Sequence, residues 1–207
     1  MTDYVWPADL VPAAMSFYLR PHTGRSISPL TRTQKTYELA APQWVCRMSF
    51  RGGHKGRREQ AAYGPRLDAL IVMLRGGANR VAIHDFRRSK LRGSNNGWSL
   101  GNLAAAQNAV QLTATGFAPG ALAFLPGDYV GGDARAHIVT GLAPIYADAS
   151  GQALAPFFPP LAAPIANGAA VFGNPTSWFR LTSDDAGASL TEPDAATMFD
   201  LEFLEDI

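Results

Sequence analysis

The chain has 207 residues, 47% hydrophobic and 17% charged, which is too apolar for a disordered polymer and enough to bury the core of one domain, or of one domain carrying a smaller insertion. No apolar run reaches the roughly 18 to 20 residues that cross a bilayer as a helix. The opening residues lack the regions of a secretory signal, and the single cysteine, Cys46, excludes an internal disulfide or a multi-cysteine metal site. A soluble protein made in a cytoplasm is expected. The net charge of +1 conceals an asymmetry: residues 1–92 hold 16 of 18 Lys+Arg and 6 of 17 Asp+Glu, whereas residues 93–207 hold 2 and 11. Either two faces of one molecule neutralise each other, or oppositely charged surfaces steer copies or partners into register. The basic part lacks aromatic interleaving and any zinc-finger or helix-turn-helix signature, which argues against specific nucleic-acid binding.

In chain order, residues 1–13 contain Trp6-Pro7 and Val11-Pro12. Each proline biases its predecessor to an extended conformation, so an arm lying on a neighbouring surface is predicted. Met15, Phe17 and Leu19 alternate with Ser16 and Tyr18, a strand over Ala14–Arg20, followed by a loop through His22–Gly24 and Ser28-Pro29. Thr33–Leu39 and Gln43–Phe50 read as two further strands, a hairpin turning at Ala40–Pro42. Arg51–Arg58 is glycine-broken and basic. A helix is predicted over about residues 57–76, with Tyr63, Leu67, Leu70, Ile71 and Leu74 on its buried face. Pro65 sits in its first turn or kinks it, and Gly76-Gly77 ends it. Arg80–Phe86 then alternates Val81 and Ile83 against Ala82 and His84, as a half-buried strand does.

Between Arg87 and Asn108 small and polar residues read as a long connector. Short strands at close spacing follow, Ala109–Ala114, Gly127–Gly131, Arg135–Gly141, Gln152–Phe157 and Ala169–Phe172, with turns at Pro126–Asp128 and Ala147–Gly151. That pattern suggests a small β-barrel or sandwich. Ser177–Ser183 and Thr197–Leu204 are larger strands again. If they pair with the first strands, residues 1–92 and 173–207 form one mainly β body, a β-sandwich with one flanking α-helix, and residues 93–172 an inserted, small, barrel-like β domain.

The chemistry-bearing residues do not assemble into a motif. None of His22, His54, His84 and His137 has a second histidine or cysteine at metal-ligand spacing. His84-Asp85 ends a strand among basic residues, and Asp184-Asp185 sits in a sequence that favours a turn. No Gly-x-Ser-x-Gly elbow occurs, and Arg51–Gly56 lacks the Gly-Lys-Ser/Thr ending of a phosphate loop. No catalytic residue, metal or cofactor is therefore expected. The basic cluster Arg47, Arg51, Lys55, Arg57, Arg58 and Arg66 suits a solvated loop or a contact with an acidic neighbour. Trp6, Arg51, Lys55, Arg57 and Arg58 are the candidate assembly interface.

The order of several short motifs carries a resemblance. Trp6-Pro-Ala-Asp-Leu-Val-Pro12, Phe17-Tyr-Leu-Arg20, Ser28-Pro-Leu-Thr31, Pro42-Gln-Trp44, Leu74-Arg-Gly-Gly-Ala-Asn79 and Asp85-Phe86 come first. Leu125-Pro-Gly-Asp-Tyr-Val130, Ala147-Asp-Ala-Ser-Gly151, Pro159-Pro-Leu161, Asn167-Gly-Ala-Ala-Val171 and Phe179-Arg-Leu181 follow. Together they resemble a family of tail-tip proteins of long-tailed bacteriophages and prophages, similar to the distal tail proteins. The resemblance implies a tail-tube-like β-sandwich that forms a ring, commonly a hexamer, between the tail tube protein and the hub or fibre proteins, with a second β domain projecting outward. It implies a place in the virion, no membrane, no cofactor and no specific nucleic acid, although the genome passes through the lumen. The basic loop Arg51–Arg58 departs from the family pattern. The alternative is a carbohydrate- or receptor-binding minor tail protein, for which Trp98, Phe117, Tyr129, Tyr146, Phe157 and Phe158 are the stacking candidates. A third reading, a cell-wall-degrading enzyme, requires Asp85, Asp184 or Asp185 in a cleft.

Overall fold

Two-residue alternation of buried and exposed side chains runs through a computed structural model that describes residues 1–51, 63–88, 92, 105–166, 168–186 and 198–207. The elements are β1 (Asp3–Val5), β2 (Ala14–Ile27), β3 (Gln34–Arg51), α1 (Tyr63–Leu74), β4 (Arg80–Ile83), β5 (Gln111–Thr115), β6 (Leu122–Phe124) and β7 (Tyr129–Gly131). They continue with β8 (Ala136–Val139), β9 (Ile145–Tyr146), β10 (Gln152–Phe158), β11 (Val171–Phe172), β12 (Ser177–Leu181) and β13 (Met198–Glu205). Among the described residues no helix is long and apolar enough to cross a membrane. The chain divides into two compact units, one of residues 1–81 with 179–207 and one of residues 82–178. The division falls at Ala82 and Phe179 instead of 93 and 173.

The first unit is built on a six-stranded sheet in the order β1-β4-β12-β13-β3-β2, so the first and last strands of the chain belong to one sheet. β13 pairs antiparallel with β3 so that Phe199 faces Phe50, Leu201 faces Met48 and Phe203 faces Cys46, placing six apolar side chains on one face. Leu67, Leu70 and Leu74 of α1 are buried, while Ile71, expected with them, is only half-buried. Among the described residues this unit has one sheet with a helix and not two facing sheets. The helix part expected before Tyr63 lies outside the described residues. At its C-terminal end Gly76 and Gly77 have φ of +62° and +91°, as their sequence position predicts. A Cβ on Gly77 would stand 2.7 Å from the Leu181 carbonyl oxygen.

Two strand expectations are corrected. The hairpin does not turn at Ala40–Pro42: β2 continues to Ile27, β3 begins at Gln34, and the turn is Ser28–Thr33, closed by the Ser28 N–H donating to the Thr33 carbonyl at 3.0 Å. The prolines near the expected turn are absorbed by register shifts about His22. The β13 ladder ends at Val45, so Pro42 loses no bond on that side of β3. The strand from Arg80 stops at Ile83, and Val81, Ala82 and Ile83 are all buried instead of alternating.

In the second unit a five-stranded sheet runs β11-β7-β8-β10-β5 beside the two-stranded β6-β9. Pairing leaves it open between β11 and β5, so no barrel is closed by hydrogen bonds among the described residues. Its core gathers Leu112, Phe117, Phe124, Val130, Phe157 and Leu161. β6 and β9 escape sequence reading because two or three residues show no period.

Candidate assembly surface

Beyond the body of the first unit, β2 and β3 continue as a two-stranded arm. Every residue from Gln34 to Ala41 is exposed, because no third strand accompanies β3 past Val45. The arm displays apolar side chains to solvent: Ile27, Tyr37 and Leu39 are more than half exposed, and Leu30 in its turn is 94% exposed. Tyr37 lies across the opposite strand over Gly24, where a Cβ would come within 2.6 Å of its ring. The root of the arm is fastened. His22 Nε2–H donates to Gln43 Oε1 at 3.2 Å, Gln43 Nε2–H donates to the Glu205 carbonyl at 3.1 Å, and the Trp44 N–H donates to the buried Glu205 carboxylate at 3.0 Å. A two-stranded ribbon is marginal in water by itself, and a long open edge is a template for pairing. Arg25, Arg32 and Lys35 make no ion pair among the described residues, and Glu38 is the arm's one acid.

The candidate interface residues fare differently. Trp6 is not available to a neighbour: it is 5% exposed, stacks on Phe50 at 5.8 Å, meets Phe203 edge-on at 6.0 Å, and its Nε1–H donates to the Leu10 carbonyl at 2.7 Å. The arm expected at residues 1–13 therefore folds back on its own core, where the indole leaves water against Phe50 and Phe203. Arg51 is exposed at the end of β3, and Lys55, Arg57 and Arg58 lie outside the described residues. Two further members of the basic cluster are neutralised at home. Arg47 donates to Glu202 at 3.0 and 3.2 Å, and Arg66 pairs with Asp9, whose carboxyl is held below the usual range mainly by that hydrogen bond. Both pairs are solvent-exposed and contribute little to stability.

A second network ties the chain ends together. Arg80 donates to Asp3 at 2.7 Å and Arg180 bonds Asp206 at 2.8 Å, while Arg180 Nη1 donates to the Gly77 carbonyl at 2.9 Å. The hydrogen bond from Arg180 is the main reason that the Asp206 carboxyl is held below its ordinary range.

The residues that suggested chemistry each make local contacts. Asp85 accepts from Arg87 Nε at 2.9 Å and from the Tyr129 hydroxyl at 3.0 Å, while His84 stacks on Phe86 and is pushed toward its neutral form by burial. Burial likewise raises the Tyr129 phenol. Asp184 and Asp185 are exposed, and the Asp185 N–H donates to Ser183 Oγ at 3.1 Å, as expected of a turn. The pair that sequence reasoning missed is Asp133 with His137, both fully buried side chains. His137 Nδ1 is 2.6 Å from the Pro159 carbonyl and Nε2 is 2.8 Å from Asp133 Oδ1. Both neighbours are acceptors, so the ring is held between a backbone carbonyl and a carboxylate. Burial drives the Asp133 carboxyl up, but hydrogen bonds from His137 and the Ala162 N–H outweigh it and hold the group below its usual value. Their i, i+4 spacing was the available signal.

Of the stacking candidates, Phe117, Tyr129 and Phe157 are buried, Phe158 is half-buried, Tyr146 is exposed, and Trp98 lies outside the described residues. Among the described residues no group of three or more His, Cys, Asp or Glu side chains converges as metal ligands would. No protein-family model matches the chain, and no curated protein matches it.

Proposed function

We propose that the chain is a non-enzymatic structural component of a phage tail tip, a distal-tail-type protein whose copies form a ring, in all expectation of the resemblance a hexamer, between the tail tube and the hub or fibre proteins. In this reading the first unit is the tube-type body, and the second projects outward as the docking domain. The observation that carries it is the β2–β3 arm, an ordered ribbon that leaves its own body with apolar side chains facing water. Burying such side chains contributes about 25 cal/mol per Å² of apolar surface, which only a partner can supply here. Among the described residues the sheet also ends in edge strands β1 and β2, each paired on one side only. Two different surfaces on one chain make heterologous contacts, and these close into a ring when the rotation per copy allows. Of the six aromatic side chains that would support the carbohydrate-binding alternative, Phe117 and Phe157 belong to the core of the second unit and Tyr129 is buried as well.

Light scattering on the purified chain across concentration, followed by cryo-electron microscopy of virions, tests the reading. A closed ring at the tail tip is expected. A chain that stays monomeric at every concentration and is missing from the tail would sink it.

A further inference from the structure

The outer face of α1 is another surface of the first unit that exposes apolar side chains. Val72 is 74% and Met73 44% exposed, an arrangement opposite to what a solvated helix face favours. Acidic groups flank them. Asp68 is exposed one turn before Val72. On the other side, just past the helix end, Asp184 approaches Gly76, where a Cβ would lie 2.4 Å from its Oδ1, and exposed Asp185 follows. None of these three carboxylates makes an ion pair among the described residues. Among the described residues the exposed cations on or just past α1 are Arg66, which pairs with Asp9, and Arg75, which leaves the strip negative. The arm has a complementary layout: Arg25 and Lys35, the latter across from Ser26, stand on the body side of Ile27, and Arg32 stands in the turn with Leu30.

We infer that the arm of one copy docks on the outer face of α1 of a second copy, with Ile27 and Leu30 covering Val72 and Met73, and Arg25, Arg32 and Lys35 facing Asp68, Asp184 and Asp185. The inference rests on the ring reading above and names its donor and acceptor. Opposite charges at both ends of an apolar patch set the register, while the patch excludes water from the contact. Donor and acceptor are different parts of one chain, so the contact propagates from copy to copy.

Charge reversal tests it. Arg32→Glu with Lys35→Glu in the arm, or Asp184→Lys with Asp185→Lys at the acceptor, places like charges together, and each pair is expected to raise the concentration needed for assembly by about tenfold or more. Mixing the two variants in equal amounts restores every contact in an alternating assembly, so light scattering of the mixture returns to the wild-type value. Circular dichroism checks that each variant is folded. A Leu30→Cys copy mixed with a Val72→Cys copy forms a disulfide-linked dimer under oxidised glutathione, which reports the docking without altering charge. If the wild type assembles while neither reversal weakens it and no cross-link forms, the docking is wrong and the ring reading survives. If the wild type never assembles, the docking falls, and the ring reading falls with it when the chain is also missing from the tail. If the arm reversal abolishes binding to a duplex DNA oligonucleotide but leaves assembly intact, the arm serves nucleic acid and the docking is overturned.

Discussion

Replacing Trp6 by alanine separates two roles for one side chain. The indole is 5% exposed, lies against Phe50 and Phe203, and gives its N–H to Leu10. Truncating a buried aromatic side chain costs about 3 to 5 kcal/mol, of which each aromatic pair accounts for about 0.5 to 1.5 kcal/mol beyond buried area. The Leu10 carbonyl also loses its indole donor, at about 1 kcal/mol or more if water does not replace it. Against a total stability of about 5 to 15 kcal/mol, a loss of about 4 kcal/mol is a large share. With a urea dependence of about 1 to 3 kcal/mol per molar, the midpoint of the first unit falls by roughly 2 M. Urea titration in salt high enough to keep the chain monomeric, followed by amide exchange on β3 and β13, measures this directly. Trp6→Phe retains the stacking and loses the donor, so it is expected to cost about 1 kcal/mol. If Trp6→Ala leaves the monomer's midpoint unchanged but weakens assembly, the indole belongs to an intersubunit contact and the placement described here is refuted.

Gly77→Ala introduces a Cβ 2.7 Å from the Leu181 carbonyl oxygen at a φ of +91°; a loss of at least about 1 kcal/mol is expected, read as a lower thermal midpoint. His137→Ala strands Asp133 in the second unit without its partner, and chemical denaturation is expected to show a loss of about 3 to 5 kcal/mol confined to that unit. Asp206 and Asp133 both have depressed folded values, so the unfolded chain binds protons more readily than the folded one. Their stabilisation is complete above the ordinary carboxylate value of about 4 and disappears as pH falls through the lower folded values. Asp206→Asn is expected to flatten the acid limb of the stability profile of the first unit; an unchanged limb would show that the Arg180 pair is not linked to folding.

Local pattern alone determined a good deal about this protein. The face of Leu67, Leu70 and Leu74, the glycines that end α1, and the alternation in β10 and β13 follow from periods of 3.6 and 2 and from positive φ, which neighbouring residues suffice to specify. The mainly β character was legible from how short alternating runs and turn residues fall along the chain. Where β2 and β3 turn was not, because Ala40–Pro42 has the composition of a turn and only the end of the β13 ladder at Val45 explains why prolines are tolerated there. The place of the Trp6 indole was not legible, because proline neighbours indicate extended backbone but say nothing of which body the ring packs against. The Asp133–His137 pair and the exposure of Val72 and Leu30 depend on which side chains come close across long sequence separations, and that is decided by the folded chain as a whole.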